Sequence, residues 1–351
     1  MAQAFLTANS YLGLVVEATR GTLNTSGSPV YIPVTSPQLT PMQKFIRDEA
    51  LRGSPNVVYN QIQGVRNDEY SFKSYLFADT GIHLLRSVLG TDTISGASAP
   101  YTHKINLLNA AATGSQPPSY SLLDFDGANG FVVLGSQADT YTLTFGAETA
   151  AEADVKFITN PYTSYTAGSI PTPFAATPTE SGEFPIPAWD TTITVGGTAS
   201  GGTVTGGTAF TYISSGELTI ARKTAPIFTM GTQAPYANFA GPIEVSGKFT
   251  GVVSTTSDPW STGTSATALT RANTPLVITL TDPNDISSST NHSFTFQMSA
   301  VQFQNVKRTR GKEFVEVEVE FTANGNANDI GAGSGFSPML ATVVNAVSTA
   351  A

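Results

Sequence analysis

Residues 315–321 read V-E-V-E-V-E-F, a two-residue alternation that matches a β-strand and not a helix, whose faces repeat about every 3.6 residues. As a strand, the segment puts Val315, Val317, Val319 and Phe321 on one side and Glu316, Glu318 and Glu320 on the other. Same-face neighbours lie roughly 7 Å apart, so repulsion is about 0.6 kcal/mol per adjacent pair in water and several-fold larger in a dry interior. The carboxylate row must therefore be wet or matched by bases, while the valine row requires a core. A strand of this kind suits a half-buried antiparallel sheet.

The same alternation recurs at Tyr70 and Phe72, at 120–125, at Tyr141, Leu143 and Phe145, at Val155 and Phe157, at Leu218 and Ile220, at Ile243 and Val245, and at Leu276, Ile278 and Leu280. Gly, Pro, Asn and Asp separate these runs, so the chain reads as mainly β. Between Phe294 and Phe303 the apolar phase slips after Met298 and resumes at Val301, which calls for a β-bulge near Ser299 or Ala300. One helix is predicted over 79–89, with Asp79 or Thr80 as cap, Ile82, Leu85 and Leu89 on one side and Gly90 at the C-terminal end. Residues 160–187 hold six prolines and almost no pattern, and read as a long loop outside the core. Residues 35–63, also long and without one clear period, read as an extended arm carrying Lys44, Arg47, Asp48, Glu49 and Arg52. No fixed-period repeat is present.

With 351 residues, 40% of them hydrophobic, the chain can bury a real core without metals or disulfides. The absence of cysteine excludes thiolate zinc sites and a thiol nucleophile. No basic and then apolar leader opens the chain and no apolar run is long enough to span a bilayer, so a soluble protein not secreted by that route is expected. Charged residues make up 12%, low for a free monomer, which points to a surface covered by partners. The net charge of -9 sits in the middle: Lys156 is the one base between Ile105 and Ala221, against ten acids. A generic nucleic-acid binder needs a basic footprint that this chain lacks.

Motifs for catalysis or metal binding are weak. His83, His103 and His292 are isolated and have no metal-type spacing. Residues 124–130 contain the acids of a calcium loop, but Gly127 is misplaced and Gly135 stands where the loop needs Glu, so a hairpin turn is the better reading. The run at 282–285, Asp-Pro-Asn-Asp, reads as a turn between strands. The glycine-rich stretch 196–207 lacks the Gly-Lys-Ser/Thr ending of a phosphate loop and reads as a flexible hairpin. No Gly-x-Ser-x-Gly elbow occurs. The dense basic cluster Lys307, Arg308, Arg310 and Lys312 precedes the acidic stripe and suits a turn pairing with acids of a neighbouring subunit better than a DNA contact.

Taken in order, the pieces resemble the tail tube, or major tail, protein of long-tailed bacteriophages. They are Gly13-x-x-x-Glu17-x-Thr19-x-Gly21-Thr22, then Tyr31-Ile-Pro-Val-Thr-Ser, then Ile46-Arg-Asp-x-x-Leu51-Arg-Gly53. Gly64-Val-Arg-Asn-Asp, Gly81-Ile-His-Leu-Leu-x-x-Val-Leu-Gly90, Ala225-Pro-Ile-Phe and Gly241-Pro-Ile-Glu-Val-Ser-Gly247 follow. The likeness spans nearly the whole chain.

The resemblance implies a β-sandwich or barrel-like tail tube domain over 1–351, with halves at about 1–159 and 188–330, the loop 160–187 and a C-terminal tail at 331–351. It implies hexameric rings whose strands join one continuous inner β-barrel, stacked into a tube that conducts DNA from capsid to host. Implied partners are the chain itself, the tape-measure protein, the tail tip or baseplate and the tail terminator, with transient passage of phage DNA. The implied location is the virion tail, with assembly in the host cytoplasm, and neither cofactor, metal, membrane nor catalytic group is called for. Six chains of net -9 carry -54 per ring, which repels DNA wherever it faces a bore. Glu316, Glu318 and Glu320 are expected on the lumen or against a basic neighbour, and the charges of 44–52 and 307–312 at contacts between subunits or rings. The rival reading is a β-rich adhesin or carbohydrate-binding module, for which Trp189 and Trp260 supply the only tryptophans; an enzyme ranks third.

Overall fold

The computed structural model describes residues 7–110, 114–175, 178, 181–210, 212–252, 273–287, 290–310, 313–331 and 335–349. Alternation places one central sheet of eight strands. Their spatial order is Gln38–Asp48, Asn60–Tyr75, Glu152–Thr159, the C-terminal part of Asn129–Gly146, Ile213–Ala221, Glu244–Val252, Val315–Ala323 and the C-terminal part of Thr290–Arg310. Every neighbouring pair is antiparallel. On one face Tyr70, Phe72, Val155, Phe157, Tyr141, Leu143, Leu218, Ile220, Val245, Phe249, Val319 and Phe321 are buried, and the residues between them form a polar face.

Two long strands leave this sheet and enter others. Thr290–Arg310 begins between Thr274–Ser287 and Leu340–Asn345, and its register slips between Met298 and Val301, so the predicted bulge at Ser299 and Ala300 is present. The extra residue lets Phe296 and Met298 before the slip, and Val301 and Phe303 after it, all stay buried. Asn129–Gly146 pairs first with Tyr120–Phe125 and Thr163–Thr166, then shifts at Ala138 to join the central sheet. The resulting apolar cluster runs from Leu12 to Val343. The segment read as a C-terminal tail contributes Leu340–Asn345, a strand that lies outside the central sheet between the N-terminal part of Thr290–Arg310 and Tyr101–Asn106.

The helix forms at Gly81–Leu89, where Ile82, Leu84, Leu85, Val88 and Leu89 are all buried. Thr80 occupies the cap position without a side-chain cap bond; Asp79 Oδ1 instead accepts the Thr80 N–H at 2.8 Å. Gly90, at φ 112°, donates its N–H to Arg86 O and turns the chain out of the helix.

Three further readings are corrected. Residues 160–187 are not wholly outside the core: Phe174 and Ile186 are fully buried, and Thr163–Thr166 is a strand. Prolines hide such a segment from periodicity because they shape the backbone while single side chains anchor it. The run at 282–285 lies inside Thr274–Ser287, where Asp282 Oδ1 accepts the Asn284 N–H across a local irregularity, so turn chemistry here distorts a strand instead of ending it. The arm at 35–63 is a hairpin of Gln38–Asp48 against the start of Asn60–Tyr75, with a register shift between Gln43 and Phe45. Its period is faint because both faces of its outer part are exposed, so neither must be apolar. Pro41 sits in its edge strand, where a missing N–H is tolerated.

The glycine-rich stretch is the hairpin expected, Thr198–Ser200 with Thr203–Thr205. Asp126 Oδ1 accepts the N–H groups of Ala128 and Asn129 at 2.8 and 2.7 Å, which makes 124–130 a hairpin turn.

Two glycines in the central sheet admit aromatic rings from the neighbouring strand. A Cβ on Gly216 would lie 2.3 Å from the Phe145 ring, and one on Gly247 would lie 2.5 Å from Phe321. The rings cover the gaps where side chains are missing, which permits local curvature without opening the core. Gly216→Ala is expected to cost about 1–3 kcal/mol in denaturant unfolding through overpacking. Gly182→Ala, at a position with nothing within 4 Å, should stay near wild type.

Candidate assembly surfaces

Strand parity decides what Glu316, Glu318 and Glu320 face. Val317, Val319 and Phe321 are buried and Val315 is half-buried, so the three glutamates project from the polar face, each itself half-buried. Glu320 stands opposite Lys248 and Gln304, Glu318 opposite Thr250 and Lys307, and Glu316 opposite Val252 and Thr309. Asn305 Nδ2 donates to Glu320 Oε2 at 2.6 Å. No ion pair joins Glu316 or Glu318 to a base among the described residues.

The remaining charges on this face are largely self-neutralised. Lys73 meets Glu152 at 2.9 Å, Lys156 meets Glu69 at 3.0 Å and Lys248 meets Glu217 at 3.3 Å. Such exposed pairs add little stability, about 0–1 kcal/mol each, but they occupy the lysines. The anionic excess is left on the row of glutamates and on Asp154, opposite Lys73 and Thr142.

The basic cluster divides between two faces. A register shift between Gln304 and Lys307, with Asn305 at φ 48°, puts Lys307 on the glutamate face. Arg308 and Arg310 lie opposite Val317 and Val315 and project the other way. Lys312 lies outside the described residues. Within the arm the charges meet one another: Arg47 pairs with Glu49 at 3.5 Å, Arg52 pairs with Asp48 and stacks on Tyr59 at 4.9 Å, and Lys44 lies 5.9 Å over the Phe228 ring.

Several buried carboxylates escaped sequence reading because nothing local marks their partners. Asp329 accepts from Gln297 Nε2, Ser299 N, Ser299 Oγ and Asn326 Nδ2. Asp68 accepts a two-pronged bond from Arg66 at 3.0 Å and the Tyr162 N–H at 2.8 Å. Glu17 accepts from Gly21 N, Ser119 Oγ, Ser121 Oγ and Gly135 N, tying the N-terminal strand to two others. These arrangements are saturated with donors, which makes each a structural lock.

A family model for phage tail tube proteins matches residues 7–323. The chain belongs to that family. No curated protein matches it. Membership gives this tail tube protein a structural role, self-assembly into a tube with other tail components, and a place in the virion tail. The Glu17 lock supplies a physical reason for the glycine-spaced motif at 13–22, since Gly21 donates its N–H to that carboxylate at 2.7 Å.

His83, His103 and His292 of the tail tube protein are all buried. No group of three or more His, Asp or Glu that could hold a metal occurs among the described residues. His103 is wedged between Asp92, 3.0 Å from Nδ1, and the Val347 carbonyl, 2.9 Å from Nε2. Burial alone would pull its pKa down, but the Asp92 and Val347 hydrogen bonds outweigh it and the net shift is upward. His83 lines a cavity of about 530 Å³ with Asp79, Arg86 and Tyr120. Burial, followed by the charge of Arg86, pushes it down to about 4, so it is neutral at physiological pH.

The unfolded chain therefore takes up the His83 proton first as pH falls below 6.5, and its contribution to stability is lost progressively down to about pH 4. Asp124, pushed up to about 6 by burial, acts in the opposite direction over the same range. Subtracting a His83→Gln variant isolates the histidine. The difference in urea midpoint between wild type and variant should shift against wild type between pH 7 and pH 4, by the equivalent of about 2–3 kcal/mol.

Proposed function

We propose that the chain closes into hexameric rings that stack into the tail tube, with the polar face of the central sheet turned toward the bore. The observation that carries this reading is the sheet itself. Its eight strands alternate in direction without exception, so the two strands at the ends of the order, Gln38–Asp48 and the C-terminal part of Thr290–Arg310, run opposite ways. Copies placed side by side by rotation can then continue the antiparallel pattern through every seam, and inter-subunit pairing covers edges that would otherwise invite aggregation. One domain over 1–351 supplies both this wall and its outer support.

Six copies set eighteen carboxylates from Glu316, Glu318 and Glu320 around the path, and the lysines nearby are mostly held by other acids. Neighbouring carboxylates lie within roughly the 8 Å screening length, so their field survives in part at physiological salt and discourages phosphate adhesion. In this reading the tube houses the tape-measure protein, joins the tail tip or baseplate at one end and the terminator at the other, and later passes DNA without binding it. Subunits assemble in the host cytoplasm. The charged arm residues Lys44, Arg47, Asp48, Glu49 and Arg52, and Lys307, Arg308, Arg310 and Lys312, serve contacts between subunits or rings.

Replacing Glu316, Glu318 and Glu320 together by Gln tests the assignment. Tubes of normal length that eject DNA more slowly are the expected result, read by electron microscopy and a DNA-release assay. Failure to assemble would move the three glutamates to a subunit interface, and a tube structure with them on the exterior would remove them from both.

A further inference from the structure

The helix Gly81–Leu89 buries Ile82, Leu85 and Leu89 in the core, while a second stripe carries polar groups at helical spacing. Asp79 stands just before the helix, His83 follows four residues on and Arg86 three residues after that, so the three share one face. All three line the cavity of about 530 Å³, with Leu14, Val16, Val30 and Val347 among the apolar residues of its wall. That volume lies in the range of small-molecule sites. Its charges are unevenly satisfied. Asp79 has both oxygens filled, Oδ1 by the Thr80 N–H at 2.8 Å and Oδ2 by the Ser181 hydroxyl at 2.7 Å. The Arg86 guanidinium makes no hydrogen bond or ion pair among the described residues, and its Nε is buried without a partner. A buried donor left in this way is costly unless an acceptor meets it. His83, 9% exposed, lies one turn before Arg86 and is neutral at physiological pH, so it adds hydrogen-bonding capacity but no second charge.

We propose that this cavity binds a small carboxylic acid with an apolar chain, its carboxylate on Arg86 beside His83 and its chain against Leu14, Val16 and Val30. The site is independent of the tube reading and does not require that rings form. Three features select the ligand. A carboxylate matches the planar fork of a guanidinium, and a small rotation of Arg86 gives the buried Nε its missing acceptor. One negative charge balances the one unmatched base; a doubly charged phosphate would bring its second charge beside Asp79, where no further cationic residue lines the cavity. The apolar wall favours an alkyl chain, which a bare inorganic anion lacks. The ligand touches the strands Tyr11–Val16 and Val30–Ile32, the helix and the C-terminal segment at Val347 together. Those segments come together only in the folded chain, so binding stabilises that state by mass action.

Isothermal titration calorimetry on the full chain at neutral pH tests the site, with hexanoate as the probe and hexan-1-ol and inorganic phosphate as controls. Hexanoate is expected to bind about tenfold or more tightly than either control, and to raise the thermal midpoint as its concentration rises. Arg86→Gln should weaken hexanoate binding by about tenfold, the equivalent of about 1.4 kcal/mol. Without ligand, the urea midpoint of that variant should match or exceed wild type, because the substitution removes a buried group that has no partner. Arg86→Met takes its place if the glutamine variant does not fold. Four results would overturn the assignment: no saturable binding of hexanoate to wild type, equal binding of hexan-1-ol, tighter binding of phosphate, or hexanoate affinity unchanged in a folded Arg86 variant.

Discussion

The structure depends on keeping one apolar face in phase across eight strands and around two bends. A strand changes face with every residue, so a single uncompensated insertion would carry its buried row into water. Buried large side chains contribute roughly 1.5–3 kcal/mol each, and a strand such as Glu244–Val252 or Val315–Ala323 carries two or three of them. Phase error is therefore costly enough to select the irregularities observed. The slip at Ser299 and Ala300 lets Thr290–Arg310 leave one sheet and enter the next with its apolar row intact. The shift at Ala138 does the same for Asn129–Gly146. At Asn305 the correction serves the polar side, because it returns Lys307 to the row of Glu318.

Electrostatics follows a second rule, separating locks from free charge. The deeply buried carboxylates of Glu17, Asp68 and Asp329 are held chiefly by N–H and O–H donors, and among the described residues Arg66 is the one base directly bonded to any of them. Buried anions of this kind are tolerable because their acceptor positions are filled, and removing one donor would leave an expensive orphan. Most lysines are therefore available at the surface, and on the central sheet they pair with Glu69, Glu152 and Glu217. A wet face so arranged keeps a net negative row, and Lys307, in register with Glu318, is a positive point that stands outside these pairs.

How much of this the sequence disclosed depends on whether the signal was local. Strand identity, the helix at Gly81–Leu89, the bulge and the hairpin turns were legible because periodicity, cap residues and turn residues act over a few positions. The faces of Glu316, Glu318 and Glu320 follow from the same two-residue period. Residues 35–63 were legible as an arm but not as a hairpin, since a ribbon exposed on both faces is under no pressure to alternate. Phe174 and Ile186 were missed because isolated anchors in a proline-rich segment have no period at all. The Glu17, Asp68 and Asp329 locks join residues as much as 118 positions apart, and no spacing rule reaches across that distance.

The same distinction explains why assembly is harder to read than fold. A core residue declares itself by repeating with its neighbours, whereas Phe45, Trp189 and Tyr212 look like ordinary surface residues until the fold shows which end each occupies. Only the length and direction of Asn60–Tyr75 reveal that the arm and the aromatic pair of Trp189 and Tyr212 stand at opposite ends of the sheet. That polarity is inherited from strand direction, which every antiparallel pairing in the sheet enforces. The two ends of the subunit therefore differ in shape and in apolar content, a difference that no single stretch of the sequence displays.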